Sequence, residues 1–428
     1  MKKLLLLFIL PVFLSPLILD SGEFDFPLTQ GQRYQLSAQV GTLYSYFDHL
    51  PKNPSLYQET VVYADKNLKQ VKAMISPADS LKIKSLSLNQ NLTPVFELAD
   101  GSYIAASKFL IFDDIVLEQV KVDQVYWTKE QLTLYESPYV FGVPAKTHQL
   151  KAYLPVKVVS QARTQHGTYL EIEGQGWVNQ NDLSSLDNRI EKVQAMLEQK
   201  YKKANYGIYV KQLATQQVAE VNQDLEMYSA SITKLPILYY VEEELQNAQF
   251  KLDDRLLYTE EVNQFKGAYD ASGSSKLSLI ADNKDYSVEE LLKYVAQNSD
   301  NVASNLLGYY LTNQYDASYR RDIKRLAGRS WSMIDKKATA QMAGRVMEGL
   351  YYQNSPVLDY LSETEFDNQR ISKDISVRVA HKIGDAYDYK HDVAIVYASS
   401  PFILSIFTDK ASYDDITAIA NDVYEILK

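Results

Sequence analysis

Tyr228-Ser-Ala-Ser-Ile-Thr-Lys-Leu-Pro-Ile-Leu-Tyr-Tyr-Val-Glu242 holds a Ser-x-x-Lys pair, Ser231 and Lys234, at the mouth of an apolar run. Pro236 suits the first turn of a helix, because its missing N–H falls where no intrahelical partner exists. With Ser231 to Val241 helical, a spacing of three sets Ser231 and Lys234 on one face, one turn apart. A lysine desolvated there loses its proton readily and can activate the serine hydroxyl. The start of the helix adds backbone N–H groups and the positive end of its dipole, which suit a developing oxyanion. Ordinary serine and lysine usage produces roughly one or two such pairs by chance in a chain this long, so the motif needs company.

That company lies downstream. In Gln297-Asn-Ser-Asp-Asn-Val-Ala-Ser-Asn-Leu-Leu307, Ser299-Asp300-Asn301 precedes an apolar helical pattern. Helix capping accounts for one of these three residues better than for all of them. In Val379-Ala-His-Lys-Ile-Gly-Asp385, Lys382 and Gly384 lie on a short β-like run, followed by Asp392-Val-Ala-Ile-Val-Tyr397. Ser-x-x-Lys, Ser-Asp-Asn and Lys-x-Gly, in this order, resemble the penicillin-recognising serine hydrolases, the class A β-lactamases and penicillin-binding D,D-peptidases. The flanks agree: residues 205–213 and 217–224 look like the two strands ahead of the nucleophile, and residues 272–277 like the turn ahead of Ser-Asp-Asn.

The resemblance spans about residues 188–428. It implies an α/β (α+β) domain, an antiparallel sheet flanked by helices, with Ser231 as the acylated nucleophile and Lys234 as its base. Ser299 would pass a proton to the leaving nitrogen, Asn301 hold the substrate amide, and Lys382 stabilise charge near the substrate carboxylate. The oxyanion hole would be the N–H groups of Ser231 and Asp385, the residue after Gly384. Asp300 is read as structural.

Two departures matter. The family's third motif carries a hydroxyl residue where Ile383 stands, and that hydroxyl hydrogen-bonds the substrate carboxylate. Losing a bond to a charged group costs on the order of 1.5–3 kcal/mol, so carboxylate recognition should weaken. Class A β-lactamases also carry a glutamate on a long loop after Ser-Asp-Asn that activates the deacylating water. From Asn301 to Met347 this chain has no glutamate; its acids after Asp300 are Asp316, Asp322 and Asp335. Residues 338–343 look like the helix after that loop, so the loop is trimmed. Asp335 is a weak substitute, read first as a capping residue. An acyl-enzyme formed here should be long-lived.

With 428 residues, 46% of them hydrophobic, the chain is long enough for two or three packed domains. A net charge of −10 without a basic stripe gives no support to nucleic-acid binding. The absence of cysteine removes thiol catalysis, disulfides and Cys-based metal sites. The five histidines are scattered without ligand spacing, so neither metal nor cofactor is expected. A triad through His391-Asp392 lacks a Gly-x-Ser-x-Gly elbow.

Lys2 and Lys3 precede a 16-residue apolar run, Leu4 to Leu19, which reads as an export signal. Cleavage after residues 1–22 and retention as a membrane anchor are both open, and either places the chain at the cell surface or outside. Residues 23–115 and 116–187 are tyrosine-rich and strand-like, read as mostly-β small-barrel modules. Residues 93–110 echo residues 167–183, and the pair Gly176-Trp177 resembles the GW-type cell-wall modules. The resemblance implies contact of Trp177 with cell-wall polymer; a spacer reads equally well. Residues 188–428 would then be an exported serine hydrolase acting on β-lactams or D-Ala-D-Ala-type peptidoglycan peptides. The alternative is a surface binding or regulatory protein that keeps the fold without the chemistry.

Overall fold

The computed structural model describes Thr29, Gln32 and residues 45–428. The export run and the boundary at residue 22 lie outside the described residues. Two units form: one of residues up to 125 with 131–150 and 156–183, the other of 126–130, 151–155 and 184–428.

The first unit is mostly β, as its composition implies. A five-stranded antiparallel sheet runs in the order Val71–Ile75, Thr60–Tyr63, Tyr103–Ala105, Pro94–Leu98, Ile83–Leu88. Phe47, Val62, Phe96, Ile104 and Ile111 fill its core. The two echoing segments are both hairpins, Pro94–Leu98 with Tyr103–Ala105 and Gly167–Ile172 with Gly176–Asn179. Trp177 is a correction. It is 5% exposed and packs with Ala162, Tyr169, Tyr135 and Tyr139, which leaves it no face for a polymer. Gly176 has a packing reason too: at φ +144° a Cβ would lie 2.5 Å from the Tyr135 carbonyl oxygen. The Gly-Trp pair is a core device.

The second unit is built on an antiparallel sheet of five strands. They are β1 (Tyr206–Gln212), β2 (Val218–Val221), β3 (Val379–Ala386), β4 (Tyr389–Val396) and β5 (Phe402–Asp409). Their order is β2-β1-β5-β4-β3, which leaves β3 at an edge. β3 to β5 are buried along nearly their whole length, so they read as apolar runs rather than alternating strands.

One face carries α1 (Arg189–Lys200) and the C-terminal helix, α7 below. Ile190, Val193 and Leu197 meet Ile416, Ile419 and Val423 there, over Ile208, Leu404 and Ile406. In the sequence, residues 184–197 read as the linker and a capped amphipathic first helix. The helix itself starts at Arg189 because Ser184 closes a turn, its hydroxyl donating to the Leu186 carbonyl and accepting the Leu186 N–H. The larger core on the other face gathers α2 (Leu235–Gln246), α3 (Val288–Asn298), α4 (Asn301–Tyr310), α5 (Ala317–Ala327) and α6 (Ala340–Gln353). Helix α7 (Tyr413–Leu427) begins with a capping box of Ser412 and Asp415. The second unit is thus an antiparallel sheet flanked by helices, the architecture the resemblance implies.

Candidate active site

Ser231 stands in a 3-10 turn, Ala230–Lys234, that runs into α2. The sequence predicts α-helix from Ser231, with Pro236 in its first turn. Pro236 is there, but the turn before it is tighter. In a 3-10 turn residues i and i+3 eclipse, so Lys234 lies directly under Ser231. Ala230 enters at φ 47°, a left-handed conformation that costs a non-glycine residue about 1–3 kcal/mol and persists only where surroundings hold it. Ser229 supplies that hold, its N–H and hydroxyl both donating to the Lys336 carbonyl at 2.7 Å.

Ser299 and Asn301 come from the junction of α3 and α4. Ser299 ends α3 in the left-handed conformation, φ 56°. Asp300 caps α4, its Oδ1 accepting the Ala303 N–H, while Oδ2 accepts those of Lys276 and Leu277. The Asp300 carboxylate is consumed in holding the 274–277 turn to the helix. Asn301 opens α4 and donates its Nδ2 to the Asp270 carbonyl at 2.7 Å. Its Oδ1 is thereby aimed at Lys234.

These elements converge. Lys234 Nζ lies 3.0 Å from Ser231 Oγ, 2.6 Å from the Ser299 carbonyl, 3.3 Å from Ser299 Oγ and 2.6 Å from Asn301 Oδ1. Lys382, from β3, donates to Ser299 Oγ at 2.7 Å and to the Ile383 carbonyl at 3.0 Å. The carbonyl and the amide oxygen each accept a hydrogen bond from a Lys234 N–H. A neutral amine has two N–H and one lone pair, and the lone pair then faces the Ser231 hydroxyl.

Electrostatics favour that neutral form. Lys234 is fully buried, and burial holds its pKa well below the usual lysine range; the positive neighbours Lys382 and Lys336 add to this, while Asp300 opposes it. Lys382 is pushed down to about 7, chiefly by burial. Among the described residues, no carboxylate hydrogen-bonds Ser231 or Lys234.

Gly384 explains its own place in Lys-x-Gly. A Cβ on it would lie 2.8 Å from Ile232 Cγ1 and from the Ser229 carbonyl, so β3 can pass the Ser231 turn this closely only with glycine. Gly384→Ala is expected to push that turn away. It should lower the rate of Ser231 acylation at least tenfold, with a smaller loss in Tm; stopped-flow labelling beside thermal melts reads both.

The three candidate acids serve elsewhere. Asp335 is exposed and accepts the Ser332 hydroxyl at 2.9 Å, Asp316 caps α5, and Asp322 pairs with Arg325. Lys336, next to Asp335, lies at Tyr269 instead. Its Nζ lies 4.6 Å from the Tyr269 ring centre, as does that of Lys234. Sequence reading missed Tyr269 and Lys336, since neither belongs to a motif. It also missed Arg370, which pairs with Asp385.

His391 is no triad member. Its Nε2 donates to the Tyr228 carbonyl at 2.8 Å, its Nδ1 accepts the Thr408 N–H, and it stacks on Phe407. His381 lies buried between Asp392 and Asp367; burial opposes its charge, but those carboxylates raise it to about 9. A cationic imidazole is no general base.

The fold and the converging side chains define a serine hydrolase scaffold. Residues 187–427 match the Beta-lactamase enzyme family, more than half of the chain, and the chain belongs to it. Residues 46–111 match a domain of unknown function, DUF5776; no match supports GW-type modules. No curated protein matches. Among solved structures, PBP-A is 16% identical at a TM-score of 0.46, over 56% of this chain and 94% of that one. A β-lactamase from Sphaerobacter thermophilus is 18% identical at 0.44, over 55% and 94%. An ancestral class A β-lactamase is 18% identical at 0.45, over 56% and 99%.

Proposed function

We propose that the chain is an exported, cell-surface serine acyl-transferring enzyme. Its substrates are D-Ala-D-Ala-type wall peptides, with β-lactams as mimics, and its acyl-enzyme is slow to hydrolyse. The observation that carries this reading is Lys234, buried without a carboxylate partner and 3.0 Å from Ser231 Oγ. Export rests on Lys2, Lys3 and the apolar run to Leu19.

In the first step Ser231 Oγ bonds to the scissile carbonyl carbon and its proton passes to Lys234 Nζ. The oxyanion is held by the N–H groups of Ser231 and Asp385. The C–N bond then breaks, and the proton returns through Ser299 Oγ to the leaving nitrogen. Asn301 fixes Lys234 and offers an amide to the substrate, and Lys382 orients Ser299. The second step needs a base for water. The loop that could supply one presents Lys336, whose pKa burial also lowers, while its acid, Asp335, is exposed and bound to the Ser332 hydroxyl. A variant of PBP-A has been solved as an acyl-enzyme complex with penicillin G.

The test is intact-mass spectrometry of the chain after exposure to penicillin G or an N-acyl-D-alanyl thioester. An adduct that persists for minutes or longer is expected. Rapid loss of the β-lactam without an adduct would mean that another residue supplies the deacylating base. No reaction with either compound favours a binding protein that kept the fold, the reading to which Ile383 and the missing acid point.

A further inference from the structure

One residue past Gly384, the side chain of Asp385 stands at the rim of the site, 34% exposed. Its carboxylate accepts a hydrogen bond from Arg370 Nη2 and another from the Tyr413 hydroxyl. Arg370 is 1% exposed, its guanidinium 4.0 Å from the Tyr413 ring centre. Its Nε and Nη1 are buried with no hydrogen-bond partner. A guanidinium normally spends five donors in a fork made for carboxylates. Here the one exposed anion it meets is a side chain of the site itself.

Alternation along β3 puts Ile383 on the same face as Asp385, opposite Lys382 and Gly384. Ile383 is buried and brings no donor, so the exposed group of that face is a carboxylate. Lys382, on the other face, donates to Ser299 Oγ and its neighbour's carbonyl, and Arg370 spends Nη2 on Asp385. A substrate carboxylate bound there would meet Asp385 as a like charge, and the Arg370 donors left without a partner, Nε and Nη1, are buried beneath it. A carboxamide, or a chain that continues beyond the scissile bond, meets neither penalty, and its N–H can donate to Asp385.

We infer that Asp385, by occupying Arg370, makes this site select acyl donors without a free carboxylate next to the scissile bond: amidated or internal D-peptides. The inference rests on the acyl-transfer reading and narrows its substrate. Asp385 acts here through its side chain and leaves the backbone N–H of the oxyanion hole in place.

The test compares two N-acyl-D-alanyl thioesters, one whose leaving thiol ends in a carboxylate and one ending in a carboxamide, by thiol release. The full chain should prefer the carboxamide by about tenfold to a hundredfold in kcat/KM, the range of one charged hydrogen bond. In Asp385→Ala the preference should vanish or reverse, because Arg370 is freed. Asp385→Asn, which keeps the volume, should move the same way if the alanine variant folds poorly. Calorimetric binding of N-acyl-D-Ala-D-Ala and its C-terminal amide to Ser231→Ala measures the same selectivity without chemistry. A carboxylate preference in the unaltered chain, or a ratio that neither Asp385 variant moves, overturns the inference. Absence of thiol release from both thioesters, with the amide still bound more tightly, overturns the acyl-transfer reading and leaves the selectivity standing.

Discussion

Ser231→Ala is expected to abolish covalent modification of the chain by acyl donors and to cut any turnover at least ~10³-fold, the scale on which removing a nucleophile acts. The fold should survive. Ser231 is half-buried and its side chain's hydrogen-bond partner is Lys234, whose other bonds to the Ser299 carbonyl and Asn301 remain. Unchanged melting with complete loss of labelling is the expected pair of results. Full labelling of the alanine variant would place the reactive serine elsewhere.

Lys234 carries the second large effect. Lys234→Met removes the amine at nearly constant length and should slow acylation by ~10²–10⁴-fold, the usual range for a lost general base. Lys234→Arg separates base from charge. Arginine keeps the cation but does not deprotonate in proteins, so it should be as inert as methionine if Lys234 works as a base. The pH dependence has a definite sign. The neutral amine is the active form, so the acylation rate rises with pH until Lys234 has lost its proton and is flat above. Burial and the positive neighbours hold that transition well below the ordinary lysine value of 10.5. Lys382→Met removes one of those neighbours and should move the rising limb to higher pH. Stopped-flow acylation at a series of pH values reads both effects.

Much of this site could be read from residue types and spacing. Ser231, Lys234, Ser299, Asn301 and Lys382 were expected together, and the structure sets their polar atoms within 3.3 Å of one another in a connected chain. The sheet was legible in part because the run of β4, Asp392 to Tyr397, is apolar and β-branched, and α1 because its apolar period is strong. What escaped has physical reasons. The 3-10 turn at Ser231 depends on a positive φ at Ala230, where no glycine announces it. Trp177 carries the same Gly-Trp signature in a core as on a surface, and only its neighbours decide. Tyr269 and Lys336 reach the site from loops 67 residues apart. Arg370 lies 15 residues before Asp385, in a segment without a motif of its own.

The central claim is that a buried, neutral Lys234 makes Ser231 an acyl acceptor. It is tested most directly by quenching the chain with a carboxamide-ended N-acyl-D-alanyl thioester at several pH values, followed by digestion and peptide mapping. The account predicts acyl mass on the Ser231 peptide, none on that of Ser299, and a labelling rate already near its plateau well below pH 10.5. Acyl mass on another serine, or labelling that keeps rising towards pH 10.5 as for an exposed lysine, would contradict it.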